Sequence, residues 1–232
     1  MTLTYDTQTK KIEVEEESLN KYQVESALNN KTDSEIKKII DGYVDECDEA
    51  ANEVLANNVS GEFYSDEQLP NLMCKAIYDE CIEEDIDIEL SYVNTGRASL
   101  YSSTWKYEDI YRVFPFDNEV KIVDITGRDF INEVMNWNAV YYNPNSEKVY
   151  IDSSKTYKIA ILDFVFDHTN LSRDYDYFPT SDHNQEIEVL DDNYRVILKD
   201  WLKDNGYNKG KLLKSSDYSN SVNGFNKNHY IV

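Results

Sequence analysis

The sequence predicts an α/β fold, mixed β-sheets with helices on their outer faces, and three observations predict it. Two amphipathic patterns with apolar residues every three or four positions, Ile36 to Val54 and Leu69 to Cys81, stand before short β-type runs. From Ile88 to Phe130 the chain reads strand, loop, helix, tight corner and strand in close succession. At 232 residues, with 41% hydrophobic residues and 19 Tyr, it is long and apolar enough to bury a sizeable core. The expected organisation is one domain over residues 1–206, opened by a hairpin within 1–20, and a polar tail over 207–232 rich in Lys, Asn and Ser.

A formal charge of −22 argues against nucleic acid and anionic membrane surfaces as partners, because neutralising phosphate needs clustered Lys and Arg. The acids are spread through the chain, so solubility is the reading preferred over mimicry of DNA. No apolar run is long enough to span a bilayer, and MTLTYDTQTKK lacks a signal-peptide core, so a cytoplasmic protein is expected, with a virion component as the alternative. Cys74 and Cys81 stand seven apart on a predicted helix, roughly 10 Å along its axis and too far for a disulfide. Cys47 falls on the apolar face of another helix, and all three are read as buried free thiols in a reducing compartment.

Residues 2–15 alternate as a hairpin: Leu3 and Tyr5, a polar turn over Asp6-Thr7-Gln8-Thr9, then Ile12 and Val14. Thr32-Asp33-Ser34-Glu35 is a capping-box pattern. It opens a helix with Ile36, Ile40, Tyr43, Cys47, Ala50 or Ala51, and Val54 on one stripe; its acids fall off that stripe as a solvated face. A second helix turns Leu69, Leu72, Met73, Ala76, Ile77 and Cys81 inward, with Pro70 in its first turn and Ser65 as its expected N-cap. The central stretch gives a strand over Ile88–Val93, a loop from Asn94-Thr95-Gly96 and a helix over Tyr107–Val113. The corner Phe114-Pro115-Phe116-Asp117-Asn118 leads to a strand over Glu119–Ile125, closed by Thr126-Gly127. A short helix over Asp129–Val134 follows, then a strand near Ala139–Tyr142 and a hairpin of Val149–Ile151 with Tyr157–Phe164. After a Tyr-rich loop, Arg173 to Pro179, a closing helix runs from Val189 to Trp201 and stops at Asn205-Gly206.

This order of elements, with Asn94-x-Gly96 and Pro115-Phe116-x-Asn118, resembles the C-terminal, substrate-binding domain of the 5′-nucleotidases. The resemblance implies a site for a nucleoside or nucleotide. Asn94 would contact the base or ribose, and Gly96 would let the backbone approach the ligand. Phe116, with Asn118 in its corner, would stack on one face of the base; read from its residues alone, Phe116 is a core Phe at a tight turn. Phe178 would supply the second aromatic, with Tyr177 and Tyr175 as alternatives, although the glycines that precede it in the family are replaced here. The two positions where the family holds phosphate-binding arginines carry Ser65 and Ser99; Arg97, two residues early, is the candidate replacement.

In that family a separate dinuclear metal domain performs hydrolysis through His-rich motifs. This sequence has three His (His168, His183 and His229), none in such a motif, so no catalytic residue, metal or cofactor is expected in it. Three roles follow from the resemblance. One is a non-hydrolytic relative acting as a nucleoside- or nucleotide-binding or protein-interaction module. Another is a structural or assembly protein of a phage or mobile element reusing the fold. The third is the substrate-recognition subunit of a split nucleotidase, completed in trans by a metallophosphatase.

Overall fold

The computed structural model describes residues 3–6, 11–14, 34–136, 140–142, 149–167, 169–170, 175–176, 178–222, 224–225 and 230–231. The chain divides into two compact units, Met1–Asp48 and Glu49–Val232. In the first, β1 (Leu3–Asp6) pairs antiparallel with β2 (Lys11–Val14), Leu3 opposite Val14, which is the expected hairpin. Helix α1 (Ser34–Ala51) crosses the unit boundary; Thr32 and Asp33 of its predicted capping box lie outside the described residues. Ile36, Ile39, Ile40, Tyr43 and Val44 are exposed on it. Cys47 is exposed as well, which corrects the expectation of a buried thiol, whereas Cys74 and Cys81 are buried. Helical period defines a stripe, but only a covering surface buries it.

The second unit is built on a mixed five-stranded sheet. After β3 (Val54–Ala56), β4 (Val59–Ser60) and α2 (Gln68–Glu83) come β5 (Leu90–Val93), β6 (Trp105–Lys106), α3 (Tyr107–Val113), β7 (Val120–Thr126), α4 (Gly127–Asn136) and β8 (Val140–Tyr142). The chain continues through β9 (Val149–Tyr150), β10 (Thr156–Leu162), α5 (Asp163–Phe166), β11 (Thr169–Asn170), β12 (Tyr175–Asp176), β13 (Glu188–Val189), α6 (Tyr194–Asp204), β14 (Leu213–Lys214) and β15 (Tyr230–Ile231). The sheet order is β13-β7-β10-β5-β8, with β10 parallel to β5 and antiparallel to β7. All four residues of β5 are buried, as befits a strand covered on both faces. Helix α2 packs against β5, β8 and α6, its Leu69, Leu72, Met73, Ala76, Ile77 and Cys81 buried as the pattern predicted. Ser91 is buried in β5 without loss because its hydroxyl donates to the Cys74 carbonyl at 2.7 Å.

Four local expectations are corrected. The hairpin of Val149–Ile151 with Tyr157–Phe164 does not form: β9 pairs parallel with β15, and β10 takes the centre of the sheet. The closing helix begins at Tyr194 and not at Val189, which pairs with Lys121 in β13. Asn193 sets that start, its side chain accepting from the Arg195 and Val196 N–H groups at 3.1 Å each. Ser65 is not the N-cap of α2. That position is Glu67, whose carboxylate instead accepts from the Asn220 N–H at 2.8 Å.

The fourth correction concerns the boundary at 206. Gly206 ends α6 in the left-handed conformation (φ 79°), as the Asn205-Gly206 signal predicted. The chain then returns to the core: Tyr207, Leu213, Tyr218 and Phe225 are buried, and β14 runs parallel to β4. Polar composition masked these four apolar anchors, which stand scattered among Lys, Asn, Ser and Gly.

Candidate functional site

Strand β5 ends at Val93 and delivers Asn94, half-buried, into the loop toward Gly96. A Cβ at Gly96 would lie 2.8 Å from Val113 Cγ1, so only glycine lets this loop lie against the end of α3. Its N–H donates to the Ser65 carbonyl at 2.7 Å, and the Arg97 N–H donates to the Val113 carbonyl at 2.8 Å. The Ser99 hydroxyl oxygen accepts from the Ser65 N–H at 3.0 Å. Ser65 and Ser99, the positions where arginines were expected, are therefore neighbours bonded to each other.

Helix α3 begins with Asp109 reaching back to the Lys106 N–H at 3.0 Å and ends at the corner Phe114–Asn118. The first turn of α6 is bonded to that corner along its length. Arg195, 5% exposed, donates from Nη1 to the carbonyls of Phe114 at 3.0 Å and Phe116 at 2.6 Å. Its Nη2 donates to Asp117 Oδ1, its Nε to the Tyr107 hydroxyl at 3.3 Å, and the guanidinium lies 4.6 Å from the Tyr111 ring centroid. Burial opposes its charge, but the hydrogen bonds to Tyr107 and Asp117 outweigh that and raise its pKa above the ordinary value. Tyr194 donates its N–H to the Asn118 carbonyl at 3.2 Å and sets its ring edge-on to Phe114, centroids 5.6 Å apart. Burial pushes the Tyr194 phenol up to about 12.

Held this way, the Phe116 ring is 49% exposed, and the exposed Arg97 places its guanidinium carbon 5.3 Å from the ring centroid. Among the described residues the Arg97 guanidinium makes no hydrogen bond or ion pair. Asn118 is half-buried and holds the inner end of the corner through its carbonyl. Thus Gly96, Arg97, Phe116 and Asn118 gather around one corner, with Asn94 at the root of the same loop.

Phe178 does not join them. It is 1% exposed, with its centroid 5.9 Å from that of Phe166 and 6.4 Å from that of Tyr92. A ring enclosed in the core has no free face for a base, so the second aromatic expected from the resemblance is not presented by Phe178. Tyr177 lies outside the described residues, and Tyr175 pairs in β12. The cause is Asp129 of α4, fully buried, which accepts from the Thr180 N–H at 2.9 Å, the Thr180 hydroxyl at 2.8 Å and the Ser181 hydroxyl at 2.7 Å. His183 stacks on Phe166 at 4.8 Å and its Nε2 meets the Phe178 carbonyl at 3.0 Å. Among the described residues, no three His, Cys, Asp or Glu side chains gather as a metal site.

Sequence reasoning missed Arg195. The one available signal was a lone Arg in the first turn of a helix, where a cation opposes the helix dipole and so needs another reason to be there.

Residues 48–150 match the family model described as 5′-nucleotidase, C-terminal domain, a span that contains the Asn94 loop and the Phe116 corner and excludes Phe178. The 5′-nucleotidase precursor of Thermus thermophilus is similar in structure with a TM-score of 0.56 at 15% identity, covering 77% of this chain and 42% of that one. The NAD nucleotidase of Haemophilus influenzae is similar with a TM-score of 0.50 at 16% identity, covering 81% of this chain and 40% of that one. The chain resembles the C-terminal domain of the 5′-nucleotidases and carries its α/β fold. It spans less than half the length of these two proteins. No curated protein matches it by sequence.

Proposed function

With this fold as the starting point, we propose that the Glu49–Val232 unit recognises a nucleoside or nucleotide and that this chain supplies recognition without hydrolysis. One observation carries the reading: a half-exposed Phe116 ring on a corner tied down on its inner side, with the Arg97 guanidinium over it. An aromatic face presented on a fixed turn suits a planar base, and stacking of this kind is worth roughly 1–3 kcal/mol per base. The donors of Arg97 stand over that same ring, where they suit a phosphate or another anionic group on the same ligand. Asn94 offers an amide to the base edge or sugar from the same loop.

Calorimetric titration with adenosine, AMP, uridine and UMP tests this. Saturable binding, stronger for the nucleotides and weakened by Phe116→Ala, is expected; unchanged affinity in that variant removes Phe116 from the site. Arg97→Met should erase the preference for nucleotide over nucleoside. A second reading, a protein-interaction module, is favoured by the exposed apolar residues of α1, Ile36, Ile39, Ile40, Tyr43 and Val44. It predicts a stable assembly on size exclusion that Ile40→Asp disrupts, with no response to nucleotide.

A further inference from the structure

We propose that Arg195 is the positioning residue of this site, holding the Phe116 ring at a fixed aim before any ligand arrives. The proposal rests on Phe116 being the ligand platform. Its geometry is specific. Nη1 of Arg195 takes the carbonyls of Phe114 and Phe116 together, at 3.0 and 2.6 Å, and so fixes the peptide planes on both sides of Pro115-Phe116. Pro115 has its own φ locked by its ring. Between two fixed planes and one fixed φ, the Cα–Cβ direction of Phe116 has little freedom left.

The other donors lock the guanidinium itself. Asp117 Oδ1 takes Nη2, the Tyr107 hydroxyl takes Nε at 3.3 Å, and the Tyr111 ring lies alongside at 4.6 Å. A planar fork serves carbonyl, carboxylate and phenol in three directions at once; a lysine ammonium, donating from a single atom, cannot. Arg195 in turn is fixed by its place in the first turn of α6, where Asn193 caps its N–H at 3.1 Å. A ring already aimed loses less conformational freedom on binding, which is how a residue that touches no ligand raises affinity.

The test uses the full chain with fluorophenylalanine incorporated, the Phe116 ¹⁹F resonance being assigned by its loss in Phe116→Leu and that of Phe178 likewise. Arg195→Lys keeps the charge and removes the fork. Expected are a melting temperature within a few degrees of the parent, a shifted or broadened Phe116 resonance, an unchanged Phe178 resonance, and AMP affinity lower by about tenfold or more. A folded variant whose Phe116 resonance and AMP affinity both match the parent overturns the proposal, as does one in which both rings change alike. If the parent binds none of the four nucleosides and nucleotides, the platform reading fails, and the Phe116 resonance still decides whether Arg195 holds the ring. Should Arg195→Lys not fold, Asp117→Ala replaces it, removing the acceptor of Nη2 at a side chain that is 79% exposed. There a moved Phe116 resonance supports the hold, and an unmoved one rejects it.

Discussion

Phe116 and Phe178 carry the same side chain on two loops of one unit, yet one ring is half in solvent and the other is sealed in the core. The difference lies in how each loop is tied. The Phe116 corner is bonded through its carbonyls to Arg195 and Tyr194 on its inner side, which turns the side chain outward. Behind Phe178, Thr180 and Ser181 are drawn onto the buried carboxylate of Asp129, which pulls the loop in and seats the ring on Phe166 and Tyr92. An aromatic becomes a platform or a core residue according to what its backbone neighbours bond to.

The most forceful way to break this contrast is Phe178→Ala. Emptying a sealed core site should lower stability by about 3–5 kcal/mol in urea denaturation. A near-neutral result with loss of nucleotide binding would make Phe178 a ligand residue after all. Asp129→Ala follows, at about 1.5–3 kcal/mol, because the hydrogen bonds that Thr180 and Ser181 give to a buried carboxylate would be lost. It should also raise the exposure of the Phe178 loop in hydrogen exchange. Next comes Phe116→Ala, expected to weaken nucleotide affinity by roughly 1–3 kcal/mol, about 5- to 150-fold, in calorimetry. Its effect on stability should stay below about 1 kcal/mol, since the lost ring is half in solvent.

The smallest effect is invisible at neutral pH. Tyr194, behind the Phe116 corner, and Cys81, on α2, are held neutral by burial, each pushed up to about 12. A folded-state pKa raised above the unfolded value gives stability that is complete below the unfolded pKa and lost as pH rises through the folded one. Melting temperature should therefore be flat near pH 7 and decline between about pH 9 and 12. A protein that melts equally well at pH 11 and pH 7 would contradict the burial of these two groups.

Much of the fold was legible before the structure. Helix α3 fell on Tyr107–Val113 as predicted, and the inward residues of α2 follow its apolar period. The Asn94-x-Gly96 loop and the Phe116 corner were found from short motifs, and both lie within the matched segment. Partner choice between strands was not legible. Val149-Tyr150 and Tyr157–Leu162 each read as strand, but their pairing with β15 and with β5 and β7 depends on segments far away in the chain. The return of residues 207–225 was hidden too, because Tyr207, Leu213, Tyr218 and Phe225 are scattered among polar neighbours.

By itself the sequence determined the period of each helix, the corner fixed by Pro115, the stop at Gly206 and the excess of acid, because these follow from local backbone chemistry and side-chain charge. Only the tertiary structure decided that Arg195 clamps Phe116, that Asp129 draws Phe178 inward and that Ser65 bonds Ser99, across 79, 51 and 34 positions respectively. No window of local sequence contains both ends of such a bond. The partner of a buried donor is set by packing, which brings distant segments together and excludes the water that would otherwise take its place.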